Sequence, residues 1–138
     1  MLVSEIESEW GIPDTIVASS VFTHLQDPLL FLSDCAKLMA SHSELIIEVE
    51  YVCSILESLG FERFYFDRPF YYSLTAITKL ASRADLVVTN VKNLTSHGGS
   101  LRIHLKKVSS HPEILPSVHH FLDNENILTR SWLLERFN

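Results

Sequence analysis

Three short stretches of this chain hold the residue types best suited to chemistry. The first is Ser19-Ser20-Val21-Phe22-Thr23-His24, an imidazole beyond an apolar run. Histidine changes charge near neutral pH and serves as a general acid or base. The second is Phe64–Ser73, FYFDRPFYYS, in which six of ten residues are aromatic around a single Asp67-Arg68-Pro69. The phenols of Tyr65 and Tyr71, with the Asp67–Arg68 pair, suit a polyol or a phosphate. Aromatic residues equally suit a core or an interface. The third is His97-Gly98-Gly99-Ser100. Two glycines permit left-handed backbone and a nest of N–H groups for an anion, or simply a hairpin turn. Glu48 and Glu50 lie two residues apart in an apolar segment, so they share a face of a strand. A carboxylate there is either paired or faces a partly solvated side. His24 alone also reads as a surface loop residue.

Composition removes several function classes. The 138 residues suit one domain. The net charge of −6, without a Lys/Arg run, predicts no nucleic-acid partner. Cys35 and Cys53 form no CxxC or Cys/His cluster, so they are expected as buried thiols, with no structural metal. Sparse cysteine fits a reducing compartment. The opening MLVSEIESEW lacks the basic region of a signal peptide. No apolar run approaches the roughly 18 residues of a membrane span. A cytoplasmic protein that binds no membrane is the expectation. Asn93-Leu94-Thr95 matches a glycosylation acceptor by chance. The four glycines, at 11, 60, 98 and 99, build neither a dinucleotide nor a phosphate loop.

The elements that position these residues follow from patterning. Residues 3–10 read as a short helix broken by GIPD, and TIVASS as a buried strand opening onto a loop. Asp27 caps a helix begun by Pro28. LIIEVEY is a second strand, and residues 53–59 form a helical turn ended by Gly60. Ser73 caps a helix through LTAITKLASR. DLVVTNVKNL and LRIHLKKV are the last strands, joined as a hairpin at the sheet edge. Leu101, Ile103 and Leu105 face one way; Arg102, His104 and Lys106 face the other. Pro112 and Pro116 bracket a linker, and a tail helix from Ser117 carries Val118, Phe121, Leu122, Leu128 and Trp132 as apolar anchors. Alternating strands and helices predict an α/β fold with a mixed sheet of about four strands. TIVAS is as apolar as a central strand, so a sheet that leaves it at an edge reads as one lacking neighbours.

The run from about Trp10 to Lys107 resembles the S-adenosylmethionine-dependent C-methyltransferases of nucleotide-linked keto-deoxysugars. The residues that carry the likeness are these three stretches and Ile47–Tyr51. The family's Asn-Asn-Val-x-Ala-His is Ser19 to His24 here, and its FEVPY is Ile47–Tyr51 with Glu50 in place of proline. HGGSLR is intact from His97 to Arg102. The family's Tyr-His-Glu-His, with a later Tyr, falls on Tyr65, Phe66, Asp67, Arg68 and Tyr71. Arg68 thus stands where the family's general base stands, and arginine stays protonated.

The resemblance implies a partial Rossmann-like class I methyltransferase fold, the C-terminal half of the domain over 1–108. Residues 109–138 then form a linker and a helix opening a following domain. It implies His24, Tyr65 and Arg68 as catalytic residues. Asp67, Tyr71, His97, Gly98, Gly99 and Arg102 would bind substrate, and Ser19 and Ser20 the cofactor. The methyl donor is S-adenosylmethionine and the substrate a nucleotide-linked sugar. The Gly-rich cofactor half is then expected from elsewhere, such as a second polypeptide, and self-association through the exposed strand is expected. The alternative is a non-catalytic remnant acting as a binding or assembly module.

Overall fold

A computed structural model describes residues 3–127. Helix α1 (Val3–Trp10) leads through Gly11 and Pro13 to β1 (Thr15–Ser19). Helix α2 (Pro28–Leu38) follows, then β2 (Glu44–Glu50), α3 (Val52–Glu57), α4 (Leu74–Arg83), β3 (Leu86–Leu94), β4 (Ser100–Lys107) and α5 (Pro116–Ile127). The two expected caps form. The Asp27 carboxylate accepts from the Leu30 N–H at 2.8 Å, with Pro28 at the first helical position. The Ser73 hydroxyl accepts from the Ala76 N–H at 3.1 Å. Each satisfies a backbone donor that the helix itself leaves orphaned.

The sheet runs β1-β2-β4-β3. β1 lies parallel to β2, with Ser19 opposite Glu48. β4 runs antiparallel to β2 and to β3, so the final hairpin places its second strand inside the sheet and its first at the edge. This is the expected mixed α/β sheet of four strands among the described residues. Strand pairing slips at Thr89, between Val88 and Asn90. The carbonyl freed there accepts the Leu115 N–H at 2.9 Å, which tethers the segment ahead of α5.

One face of the sheet makes the core. Leu45, Ile47 and Val49 of β2 and Leu101, Ile103 and Leu105 of β4 are at most 2% exposed. They join one cluster with Leu32, Cys35 and Ala36 of α2 and Leu74, Ile77 and Ala81 of α4. Each fully buried aliphatic side chain contributes about 1.5–3 kcal/mol. Cys35 and Cys53 are buried free thiols, as expected. Burial, aided by the Asp34 charge, pushes Cys35 up to about 12, and burial pushes Cys53 up to about 11. Neither is a nucleophile near neutral pH.

The other face carries cross-strand ion pairs. Glu48 meets Arg102 directly opposite, and Glu44 lies 3.3 Å from His104. β1 pairs with β2 alone among the described residues, and Val17 is 62% exposed on it. α5 packs on β3 and α4. Val118 is buried and Phe121 and Leu122 half-buried, whereas the anchors expected at Leu128 and Trp132 lie outside the described residues. No helix among the described residues is long and apolar enough to cross a membrane.

Candidate functional site

The site gathers at the carboxyl ends of the parallel strands β1 and β2, where open α/β sheets bind ligands. Beyond Ser19 the chain turns sharply. Ser20 has φ +57°, a left-handed conformation uncommon for a residue with a Cβ. Its N–H donates to the Glu48 carbonyl at 3.2 Å. A 3-10 turn, Phe22–His24, follows. Phe22 is fully buried against the rings of Phe31 and Tyr72, with centroids at 5.9 and 5.0 Å, and this anchor sets where His24 stands.

His24 is brought to the aromatic stretch. Its Nδ1 lies 3.1 Å from the carbonyl oxygen of Asp67 and 3.8 Å from that residue's carboxylate. A carbonyl only accepts, so Nδ1 is the donor in this contact. Asp67 itself is largely exposed, and it positions His24 mainly through its backbone. Tyr71 braces the loop. Its hydroxyl accepts the Tyr65 N–H at 2.6 Å and donates to the Arg63 carbonyl at 3.0 Å. The Tyr65 ring lies beneath the Arg68 guanidinium, 4.7 Å from its centre.

Arg68 donates through Nη1 to Oε1 of Glu50, a carboxylate only 7% exposed. Burial pulls the Arg68 pKa down. The hydrogen bond and charge of Glu50 outweigh it, with smaller help from Tyr71 and Asp67, so the net shift is upward. Arg68 is therefore permanently cationic. Arg63 lies 4.0 Å from Oε2 of Glu50 and spends its donors on the glycine loop, at 3.0 Å to the Gly98 carbonyl and 3.4 Å to that of Gly99. Both glycines adopt positive φ, and Gly99 is required by close approach as well. A Cβ on Gly98 would stand 2.9 Å from the Arg63 guanidinium, and one on Gly99 would stand 2.7 Å from the Ser54 hydroxyl. The His97 backbone lies in the 3-10 turn Ser96–Gly98 at the start of this loop.

Glu48 lies two residues earlier on the same strand face and is more exposed than Glu50. It accepts from the Ser19 hydroxyl at 2.6 Å and from Arg102 Nε at 2.6 Å. The hydrogen bond from Ser19 and then that from Arg102 hold its carboxyl below the usual 4.5, against the opposing effect of burial. A depressed folded-state value means that the stabilisation is complete above the unfolded value of 4.5 and is lost as pH falls through the folded value. Glu48→Gln will therefore lose stability at pH 7 but show a shallower fall on acidification. Urea midpoints at pH 7 and at about pH 3 check this; parallel curves for the two proteins would contradict it.

Two cavities of about 210 Å³ each result. Ser19, Ser20, His24, Glu48, Glu50 and Arg68 are among the residues lining the first. Glu50, Arg63, Tyr65, Arg68 and Gly98 line the second. The Glu50–Arg68 pair belongs to both and partitions them. The expected residues thus divide: His24, Ser19 and Ser20 line one cavity, Tyr65 and Gly98 the other, and Arg68 both. Arg102 serves Glu48 on the sheet face, and Gly99 abuts Ser54. Sequence reasoning passed over Arg63, for which no local signal existed. It also left Glu50 and Arg68 as two separate departures from one pattern, although opposite charges appearing together were a signal of contact.

The described residues do not by themselves fit S-adenosylmethionine. A cavity of about 210 Å³ is below the roughly 300–1,000 Å³ of cofactor sites. The Ser19 hydroxyl is already given to Glu48, and no glycine-rich loop borders the end of β1. No group of three or more His, Cys, Asp or Glu among the described residues could hold a metal ion.

No family model matches the chain. It is 25% identical over 121 residues to the C-methyltransferase NovU of Streptomyces niveus, a match covering 88% of this chain and 29% of that protein. Among solved structures it is similar to the pyocyanin biosynthetic protein PhzM, with a TM-score of 0.55 and 15% identity over 68% of this chain and 30% of that one. The O-methyltransferase NcsB1 from neocarzinostatin biosynthesis, in complex with S-adenosyl-L-homocysteine and 1,4-dihydroxy-2-naphthoic acid, gives 0.52 and 18% over 68% and 29%. The magnesium protoporphyrin IX methyltransferase ChlM from Synechocystis PCC 6803, with bound S-adenosyl-L-homocysteine, gives 0.51 and 14% over 68% and 44%. The chain spans less than half the length of each. The mixed α/β fold is similar to part of the Rossmann-like class I fold of these structures, and the sequence likeness is to a C-methyltransferase.

Proposed function

We propose that this chain is the substrate-side half of a C-methyltransferase acting on a nucleotide-linked keto-deoxysugar. The likeness to a C-methyltransferase over 88% of the chain supports the reaction class. The observation that carries the reading is the assembly of His24, Tyr65, Arg68 and Gly98 around two adjoining polar cavities at the strand ends. Arg68, with its guanidinium held at the partition, suits an enolate oxygen or a pyrophosphate. The backbone of His97, Gly98 and Gly99 and the Asp67 carboxylate border the sugar, and Ser19 and Ser20 form one flank of the methyl donor's site. When bound, S-adenosylmethionine supplies an electrophilic methyl group. Its glycine-rich cradle comes from another segment or a second polypeptide, set against the open edge of β1.

The test is calorimetric titration of the chain with a thymidine-diphosphate-linked keto-deoxyhexose and, separately, with S-adenosylmethionine. Binding of the sugar nucleotide without the methyl donor is expected. Failure to bind the sugar nucleotide overturns the substrate reading; tight binding of the donor alone overturns the division into halves.

The open edge favours a second, compatible reading as an assembly module. Trp10, Ile12 and Val17 are 76%, 52% and 62% exposed around β1, whose outer edge pairs with no other strand among the described residues and could template one. Light scattering at rising concentration tests self-association, and a monomer throughout would count against it.

A further inference from the structure

We propose that the second cavity is a diphosphate-binding site, in which Arg63 and Arg68 share the ligand's charge and Glu50 is their internal counter-ion until it arrives. The cavity is about 210 Å³ and is lined by Glu50, Arg63, Tyr65, Arg68 and Gly98. Two guanidiniums and one carboxylate leave a positive charge in excess, on a chain whose net charge is −6. The three groups are shielded: the side chains of Arg63 and Arg68 are 14% and 19% exposed. Excess charge in such a place is costly without a counter-ion. The one present divides unevenly. Oε1 of Glu50 takes Nη1 of Arg68, whereas Oε2 accepts no hydrogen bond and stands 4.0 Å from Nη2 of Arg63. A single carboxylate serves two cations incompletely.

A donor within a ligand's reach remains. Arg68 gives Nη1 to Glu50, and its Nε is buried. Its Nη2 makes no hydrogen bond among the described residues and is not buried, so it is the nitrogen open to an anion. The Tyr65 ring, 4.7 Å from the guanidinium centre, holds that group's plane. Arg63 acts differently. The Gly98 and Gly99 carbonyls take its donors at 3.0 and 3.4 Å, so its charge is fixed at the cavity wall and attracts at short range. Guanidiniums match phosphate oxygens in geometry as well as charge. Two of them on one cavity suit two linked phosphates better than one.

The first cavity has another chemistry. Serine and threonine side chains and the carboxylates of Glu48 and Glu50 border it, with Arg68 the one basic group among them that keeps a permanent charge. That lining disfavours a diphosphate and suits neutral hydroxyl groups. A sugar nucleotide would then lie across the Glu50–Arg68 partition, its diphosphate in the second cavity and its sugar toward His24. This orientation rests on the substrate reading above; the anion site does not.

Calorimetric titration of the whole chain with inorganic pyrophosphate, at constant ionic strength, is the test. Binding by the wild type is expected, with inorganic phosphate at least about tenfold weaker. Arg63→Gln and Arg68→Gln should each weaken pyrophosphate binding about tenfold or more, the loss of one charged partner. Glu50→Gln should tighten it about tenfold, because the carboxylate that competes for both guanidiniums is gone. A residue that only supported the fold would not strengthen binding when replaced. A wild type that binds no pyrophosphate overturns the proposal, and so does equal affinity for phosphate or a folded Glu50→Gln that binds no tighter. If circular dichroism shows Glu50→Gln unfolded, Arg63→Gln decides: wild-type affinity overturns the site. Titration with the thymidine-diphosphate-linked keto-deoxyhexose separates the two readings. Pyrophosphate bound without the sugar nucleotide removes the substrate reading and leaves the anion site. Sugar nucleotide held equally by the wild type and Arg63→Gln removes the anion site and leaves the substrate reading.

Discussion

Arg68→Ala will destabilise the chain by about 3 kcal/mol at neutral pH, because it leaves the Glu50 carboxylate buried and unpaired. Glu50 is 7% exposed and Arg68 19%, so the pair is shielded from the screening that makes surface ion pairs nearly neutral. Removing one partner of a buried pair typically costs about 3–5 kcal/mol, most of it the stranded charge. The low end applies here, since Arg63 lies 4.0 Å from the other oxygen and can turn toward it. The loss also includes the guanidinium on the Tyr65 ring. Urea unfolding measures the effect as a lower midpoint at unchanged slope. The double variant Glu50→Gln/Arg68→Ala is expected to be more stable than Arg68→Ala alone, since no buried charge is left behind. This non-additivity is what contact requires. Additive losses, or an Arg68→Ala loss under about 1 kcal/mol, would show that the two side chains do not stabilise each other.

The elements were more legible in the sequence than the contacts between them. Alternation in LRIHLKKV foretold which residues of β4 enter the core, because a strand's faces follow its own period. Asp27-Pro28 and Ser73 marked helix starts, because caps are local. The placement of β4 between β2 and β3 was not legible, nor was the slip at Thr89, since both depend on partners distant in sequence. The aromatic stretch shows the same division. It read as one cluster, yet Tyr72 is buried against Phe22, Tyr71 braces the loop, and Phe66 lies fully in solvent. Its residues are separated by what each meets across the fold. The Glu50–Arg68 contact spans 18 residues, and the Arg63 bonds to the glycine loop span 35 and 36. Such contacts leave no periodic trace.

Glu125→Ala will have an effect of similar size, about 3 kcal/mol, by a different route. Glu125 is 9% exposed on α5, and its carboxylate reaches the first turn of α4. One oxygen accepts the Leu74 N–H at 2.5 Å; the other accepts the Thr75 N–H at 2.8 Å and the Thr75 hydroxyl at 2.6 Å. Ser73 already satisfies the next donor, so Glu125 completes a cap that the local sequence leaves unfinished. A negative charge at this end also meets the positive pole of the helix. Hydrogen bonds to a charged group are worth about 1.5–3 kcal/mol each and do not sum fully when they share one carboxylate. Hydrogen exchange should quicken across α5 and the first turn of α4 while β2 and β4 stay protected. The consequence should reach the site. Tyr72 precedes that turn, its carbonyl accepts the Val52 N–H at 3.1 Å, and its ring supports Phe22 beneath His24. A looser α4 therefore loosens both anchors of the aromatic loop, and sugar-nucleotide affinity should fall with stability. If affinity is unchanged while α5 exchanges freely, Tyr71 alone holds the loop, and α5 contributes to the fold without shaping the site.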